Sequence, residues 1–169
     1  MNIFSDLSPT MVAAPGKLAV SGTSETVGSL SGDGAVELVA DATLGIHTVD
    51  DALFSGTFSG AGTVVKSGAA VQTLTGTLAV DGALIVEAGT LNLDGAALVG
   101  ITNIVVRTGA ELTGTATVSG DLTVTFETGG LYSASLAVAG ALTVEGPVTL
   151  TVPQGASYPY YGMLFTYAS

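Results

Sequence analysis

The 169-residue sequence predicts an all-β fold, a three-faced solenoid in which short parallel strands wind around one narrow core. Three observations support this fold class. The pattern V-x-G-x-L-x-V occurs at residues 80–86, 118–124 and 138–144, and runs of Val, Leu and Ile return about every 20 residues. Within the runs, apolar residues alternate with Thr, Ser, Asp and Asn, which is typical of strands with one buried side. No stretch of a dozen residues has helical periodicity.

Each repeat unit contains three apolar runs, which predicts three strands per turn. Around residues 84–86, one run precedes at 78–80 and another follows at 91–93, and the same trio recurs around residues 142–144. Glycine with Ser, Asp or Ala separates the runs, because glycine tolerates the positive φ that corners require. Equivalent strands of successive turns run in one direction, so their pairing is parallel. The length corresponds to roughly seven or eight turns.

The repeats divide the chain into an N-terminal cap or leader, the β-helix turns and a C-terminal aromatic segment with the last strand, at residues 1–16, 17–157 and 158–169. In the first part, the apolar residues 11–14 lie between two prolines and are suited to cover the open end of a core. The distance from Leu18 to Leu44 exceeds one unit by about six residues. A loop insertion is therefore predicted near residues 22–29.

The composition excludes several classes of function. The formal net charge is −11, and Lys17, Lys66 and Arg107 are the only Lys and Arg residues. Nucleic acids and anionic membrane surfaces are bound through clustered Lys and Arg, so neither is an expected partner. The absence of cysteine excludes disulfides, thiolate catalysis and Cys-based metal sites. No apolar run approaches the roughly 18 residues of a membrane span, and the first ten residues show no signal peptide.

Residues 54–76 carry a more specific pattern. They contain, in order, F-S-G at 54–56, S-G-A-G at 59–62, V-V-K-S-G at 64–68 and L-T-G at 74–76. This arrangement resembles the autotransporter-associated β-strand repeat of bacterial surface proteins, and the specific match extends over residues 52–95. The resemblance implies a right-handed parallel β-helix that forms a passenger-type segment outside the cell. It implies no shared catalytic site.

Candidate chemical groups are few. His47 is the single histidine and lies close in sequence to Asp50 and Asp51, so a carboxylate could orient it as a base. The alternative is a surface histidine at a corner. Asp33, Asp41, Asp50 and Asp51 could supply oxygen ligands for calcium, but the G-G-x-G-x-D pattern is absent, and scattered acids on an acidic surface are far commoner than a calcium site. No catalytic residue, no metal site and no cofactor is predicted.

Two other kinds of surface site arise from the sequence. Tyr158, Tyr160 and Tyr161 could stack on sugar rings, or they could cover the last turn. Thr-x-Thr pairs at 123–125 and 149–151 suggest an ice-binding ladder. The separation of these two pairs does not match the repeat length, so we do not expect a flat ladder from them.

The sequence favours a structural and interaction segment of a bacterial cell-surface or secreted β-helical protein, without catalysis. The alternative is a glycan-binding or glycan-cleaving β-helix, which requires a groove lined by Asp, Tyr and a basic residue. A smooth surface of Thr, Ser and Gly favours the first function. The expected partners are a surface glycan, a protein ligand or a second copy. Residues 163–167 form an apolar strand that no charge or proline follows, which suggests self-association through terminal strands and a chain cut from a longer solenoid.

The repeat length also predicts which side chains stack. Two inward ladders are expected, one of Leu84, Ile104, Leu122 and Leu142 and one of Val86, Val106, Val124 and Val144. In the same register, Glu87 is expected to form an exposed ion pair with Arg107. Lys66 falls at the position of Val86, so its stem is expected over the core edge and its ammonium outside.

Overall fold

The computed structural model describes residues 8–146, which form a right-handed parallel β-helix of about seven turns. This part of the chain contains no helix, so it contains no helical segment that could cross a membrane. The predicted fold class is confirmed. The described strands, numbered in chain order, are β1 Thr10–Met11, β2 Lys17–Val20, β3 Ser24–Val27, β4 Leu30–Ser31, β5 Ala35–His47, β6 Ala52–Phe54, β7 Thr57–Ser67, β8 Val71–Leu74, β9 Thr77–Val86, β10 Thr90–Val106, β11 Glu111–Ser119, β12 Leu122–Phe126, β13 Leu131–Val138 and β14 Leu142–Glu145.

Each turn has three faces, which the chain visits in the order C, A, B. Face C consists of residues 10–11, 30–31, 52–54, 71–74, 90–92, 111–114 and 131–134. Face A consists of residues 17–20, 35–38, 57–60, 77–80, 97–99, 116–119 and 136–138. Face B consists of residues 24–27, 43–47, 63–67, 83–86, 103–106, 123–126 and 142–145.

Several strands bend through corners instead of ending there. β10 covers parts of all three faces in 17 residues, and β7 continues through residues 59–62, where the sequence predicts a turn. Gly60 has a φ of 107°, a conformation that strains side chains with a Cβ atom. A Cβ atom there would also lie 1.9 Å from the carbonyl oxygen of Leu38 in the preceding turn. The corner therefore needs glycine because the backbones of successive turns touch.

The core is a column of inward side chains that alternate with outward polar residues. Leu, Val and Ile side chains from every face are buried, and Phe54 packs edge-on against Phe58 with ring centroids 5.2 Å apart. Burying this apolar surface is the main force that holds the turns together, at about 25 cal/mol per Å². The backbone hydrogen bonds between turns fix the alignment of each residue with one in the next turn.

The predicted loop insertion at residues 22–29 is wrong. These residues contain β3, which pairs with Thr43–Ile46 on face B. The error arose because Leu18 and Leu44 lie on different faces: Leu18 aligns with Val36, and Glu25 aligns with Leu44. Leu18 and Leu44 are therefore not equivalent residues of successive turns. The residues of β5 that have no counterpart in β7 lie at the A/B corner, between Leu38 and Ala42, and Asp41 has a φ of 63° there.

In each predicted ladder, the first two residues align with each other and so do the last two. The predicted alignment between the second and the third residue is wrong. Leu84 aligns with Ile104 and Leu122 with Leu142, yet Ile104 aligns with Val124. The second ladder fails in the same way, because Val106 aligns with Phe126. On face B, aligned residues of these successive turns are separated by the same number of residues. The separation between Ile104 and Leu122 is slightly smaller than this repeat. Hydrogen bonding follows the backbone repeat, and the V-x-G-x-L-x-V pattern occupies two different registers.

Residues 8–16 add a strand to the first turn. β1 pairs in parallel with β4 on face C. Of the apolar patch that was expected to cover the core, Val12 is buried and Met11 is 74% exposed. The C-terminal segment 158–169, the apolar strand 163–167 and the Thr pair at 149–151 lie outside the described residues.

Candidate functional site

All three Lys and Arg side chains are engaged within the chain. On face A, Lys17 Nζ lies 2.5 Å from Glu37 Oε2, and both side chains are about half exposed. At the B/C corner, Arg107 donates a hydrogen bond to Glu127, to which the Thr108 N–H also donates at 3.3 Å. These hydrogen bonds, first that of Arg107, lower the pKa of Glu127 below its ordinary value. Each of the three basic side chains therefore has a partner within the chain.

The predicted ion pair between Arg107 and Glu87 is replaced by the pair with Glu127. Glu87 and Glu127 lie one turn before and one turn after Arg107 along the same corner. The spacing along the sequence is equal in both directions, so register alone does not choose between them. The additional hydrogen bond from Thr108 to Glu127 favours the pair that the structure shows.

Lys66 is a buried cation. Its position is the predicted one, aligned with Val86 in the ladder of inward residues on face B. The prediction that its ammonium lies outside is wrong, because the residue is 1% exposed. Nζ donates hydrogen bonds to the carbonyl oxygens of Gly68 at 2.7 Å and Ala88 at 2.8 Å. Burial lowers its pKa to about 8, against an opposing effect of the Asp51 carboxylate.

Gln72 is a second buried polar residue that sequence reasoning missed. Its Nε2 donates to the carbonyl oxygen of Leu30 at 2.8 Å, and the Leu30 N–H donates to its Oε1 at 3.1 Å. Leu30 lies two turns away, and the strand between them begins only at Ala52. The amide therefore takes the place of a missing strand partner. A signal was available, since Leu91 and Leu112 occupy the aligned positions on face C.

The candidate histidine and aspartates do not form a common site. His47 ends β5 at the B/C corner, where its Nδ1 lies 3.1 Å from Ser67 Oγ. Asp33, Asp41 and the pair Asp50 and Asp51 occupy three different corners of the β-helix. Two of them accept backbone hydrogen bonds at 2.8 Å, Asp33 from Ala14 and Asp51 from Val71. Within residues 8–146, no three His, Cys, Asp or Glu side chains are grouped to hold a metal ion.

The outer surface of face A is smooth and uncharged beyond its first two turns. A shallow groove of about 490 Å³ crosses it, lined by residues 97–99, 117–119 and 137–139. Its lining consists of Ala, Val, Leu, Thr and Ser, without a carboxylate, a tyrosine or a basic residue. The groove therefore lacks the groups that a glycan-cleaving site requires.

The threonine rows also depend on the register. Thr123 aligns with Thr143 on face B, and Thr43 aligns with Thr63. Between these pairs the same row contains Ala83 and Asn103. The row is therefore interrupted, and it does not form the flat threonine ladder of an ice-binding surface over the described turns. The tyrosines proposed for glycan contact, Tyr158, Tyr160 and Tyr161, lie outside the described residues.

Comparison of the chain with protein-family models, with curated proteins and with solved structures found no match.

Proposed function

We propose that this chain is a structural and interaction segment of a β-helical protein at the bacterial cell surface, and that it has no catalytic activity. Its role is to extend and present a rigid side surface. The observation that carries this proposal is the combination of an outer face A that is uncharged beyond its first two turns with three basic side chains that are all engaged within the chain. The location outside the cell rests on the resemblance of residues 52–95 to autotransporter-associated repeats.

The absence of accessible proton-transfer groups in the groove supports a role without catalysis. Cleavage of a glycan uses two carboxylates at a fixed separation, or a base beside a cation that binds the sugar acid. Lys66 has a lowered pKa of about 8, which suits a base, but its ammonium is buried and bound to two carbonyl oxygens. Asp33, Asp41 and the neighbouring pair Asp50 and Asp51 lie at three different corners. These features favour a role in binding, or a role as a structural spacer, over catalytic turnover.

The cellular location is tested on cells that produce this protein. Antibodies against residues 8–146 should label intact cells, and external protease should remove the signal. A cytoplasmic protein measured in the same cells is the control for leakage. Labelling that requires lysis of the cells would contradict the proposal.

The absence of catalysis needs a separate assay. The purified chain is incubated with neutral and acidic polysaccharides, and the release of reducing ends and of unsaturated uronates is followed. We expect no release above that of a heat-unfolded sample. Turnover that survives further purification and is lost on unfolding would favour the glycan-cleaving alternative.

A further inference from the structure

Face A carries no charged side chain on its outer surface over five successive turns. Its outward positions from Thr57 to Ala137 are occupied by Thr, Ser, Ala and Val. Val99 stands in the middle of this surface and is 43% exposed. Lys17 and Glu37, the only charged residues of the face in the described turns, form an ion pair with each other at its N-terminal end.

The surroundings of this neutral surface are acidic. Asp81 and Asp121 lie exposed at the A/B corner, and Asp94 lies exposed at the C/A corner. Faces B and C carry outward carboxylates, among them Glu145 and Glu111. The chain as a whole has a formal net charge of −11. Two copies that meet at the corners, or where faces B and C carry these carboxylates, would bring like charges together, which is unfavourable.

From this charge distribution we propose that two copies of the chain associate side by side through their A faces. Flat sheet faces of small and β-branched residues pack against each other at about 10 Å. The groove at residues 97–99, 117–119 and 137–139 provides room for side chains of the partner. The partner is a second copy because it carries the same neutral surface, whereas a basic partner would be drawn to the acidic corners instead. This inference deepens the proposed structural role and rests on it.

The size of the surface sets the strength of the association. With strands about 4.8 Å apart and about 3.3 Å per residue, the five neutral turns present a flat area of about 250 Å² per copy. Stable dimers bury about 800 Å² per partner, so a weak and reversible dimer is expected. The acidic corners repel each other across this interface. Added salt should therefore strengthen the association, in contrast to a contact made by ion pairs.

Sedimentation velocity of the full chain across a concentration series, at low and at high salt, measures the association. Thr117→Glu places a charge in the neutral surface and should weaken dimerisation about tenfold or more, which corresponds to about 1.4 kcal/mol. The matched control is Thr123→Glu, which adds the same charge to the outer side of face B. It should leave the dissociation constant unchanged. Circular dichroism and the melting temperature of both variants verify that each remains folded.

A distance measurement identifies the surface directly. The chain has no cysteine, so single cysteines can carry spin labels without background. Labels at Thr117→Cys should show a short distance between copies, and labels at Thr123→Cys a longer one. A chain that stays monomeric at all concentrations and salt conditions would overturn the proposal, and so would equal effects of the two glutamate variants. A negative result here leaves labelling of intact cells unchanged, so it is distinguishable from failure of the proposed location.

Discussion

The Lys66 ammonium donates a hydrogen bond to the carbonyl oxygen of Ala88, 2.8 Å away in the next turn of the β-helix. A second hydrogen bond, to Gly68 at 2.7 Å, stays within its own turn. A buried cation thus joins two successive corners, at a ladder position that the turns before and after fill with Ile46 and Val86. The contact explains why a lysine is tolerated inside the core, because carbonyl oxygens replace part of the water that it loses.

The first prediction concerns the pH dependence of stability. Burial lowers the pKa of Lys66 from 10.5 to about 8. Between pH 8 and 10.5 the unfolded chain therefore binds more protons than the folded chain, and the contribution of Lys66 to the free energy of unfolding rises with pH. The full change is about 3 kcal/mol, at about 1.36 kcal/mol per pKa unit. Below pH 8 both states are protonated and the contribution is constant.

Urea unfolding of the wild type and of Lys66→Met at pH 7.5 and at pH 10.5 measures this effect. The free energy of wild-type unfolding should rise relative to that of the variant between the two pH values. Comparison with the variant removes the contributions of all other titrating groups. An unchanged difference between wild type and variant would mean that the ammonium stays protonated in the folded chain and that its pKa is not lowered.

The second prediction concerns the glycine beside this ammonium. Gly89 has a φ of 64°, and a Cβ atom there would lie 2.4 Å from the Gly68 carbonyl oxygen and 2.7 Å from Lys66 Nζ. Gly109 occupies the same corner one turn later with a φ of 76° and has open space around it. Gly109→Ala should cost about 1 kcal/mol through backbone strain alone. Gly89→Ala should cost about 2 to 4 kcal/mol, because the added Cβ atom would also collide with the Gly68 carbonyl oxygen and the Lys66 ammonium.

Chemical denaturation of the two alanine variants provides the comparison, since both residues have positive φ. Equal destabilisation would show that the close contacts around Gly89 add nothing to the cost of strain. The combination of Gly89→Ala with Lys66→Met is the next step. Removing the ammonium should relieve part of the cost of the added Cβ atom.

The third prediction concerns Gln72, which contacts the backbone of Leu30 from two turns away. A leucine at this position would match Leu91 and Leu112 in the aligned turns and would raise the hydrophobicity of the core. Gln72→Leu should nevertheless destabilise the protein by about 1 to 3 kcal/mol, because it leaves the N–H and C=O of Leu30 without this partner.

The matched control for Gln72→Leu is Leu112→Met, a volume-conserving change in the same ladder that should cost less than about 1.5 kcal/mol. Hydrogen exchange of the Leu30 amide is the specific measurement. It should become faster in Gln72→Leu and remain unchanged in Leu112→Met. A Gln72→Leu protein that is more stable than the wild type would show that the two hydrogen bonds are dispensable.

The fourth prediction concerns the partner of Arg107. The hydrogen bond from Arg107 lowers the pKa of Glu127 below 4.5, so the pair contributes stability above this value and loses it as the pH falls through the lowered pKa. Arg107→Gln should therefore raise the pKa of Glu127, as followed by carboxyl NMR. Glu87→Gln is the control, since it removes the carboxylate that the spacing alone would pair with Arg107. A fall of the pKa of Glu127 in this control would argue against the observed pairing, because it would mean that Arg107 was paired with Glu87 and was released to Glu127 by the substitution.

The fold class was available from the sequence because a solenoid repeats one local pattern. Alternation with period two defines strands with one buried side, and the return of that pattern at a fixed interval requires stacking in parallel. The position of Lys66 in the ladder of Val86 followed from the same repeat and is confirmed. These features depend on local spacing, which a sequence displays directly.

The tertiary structure decided the register wherever two offsets were similar. Leu122 and Val124 both follow Ile104 at close to the repeat interval, and either alignment buries an apolar side chain. Hydrogen bonding between backbones selects Val124, because it must continue unbroken along face B. The strand β3 was missed for the same reason, since Leu18 and Leu44 look equivalent until the faces are assigned.

The buried polar contacts were also decided by the tertiary structure alone. The sequence shows a lysine among valines and a glutamine among leucines, but it does not show which carbonyl oxygens lie within reach. Lys66 donates a hydrogen bond to Ala88 in the next turn, and Gln72 donates one to Leu30 two turns earlier. The sequence therefore determined the solenoid and the polarity of its outer surface. Only the stacking of successive turns determined which polar groups the core can satisfy, because those partners are backbone atoms that any residue carries.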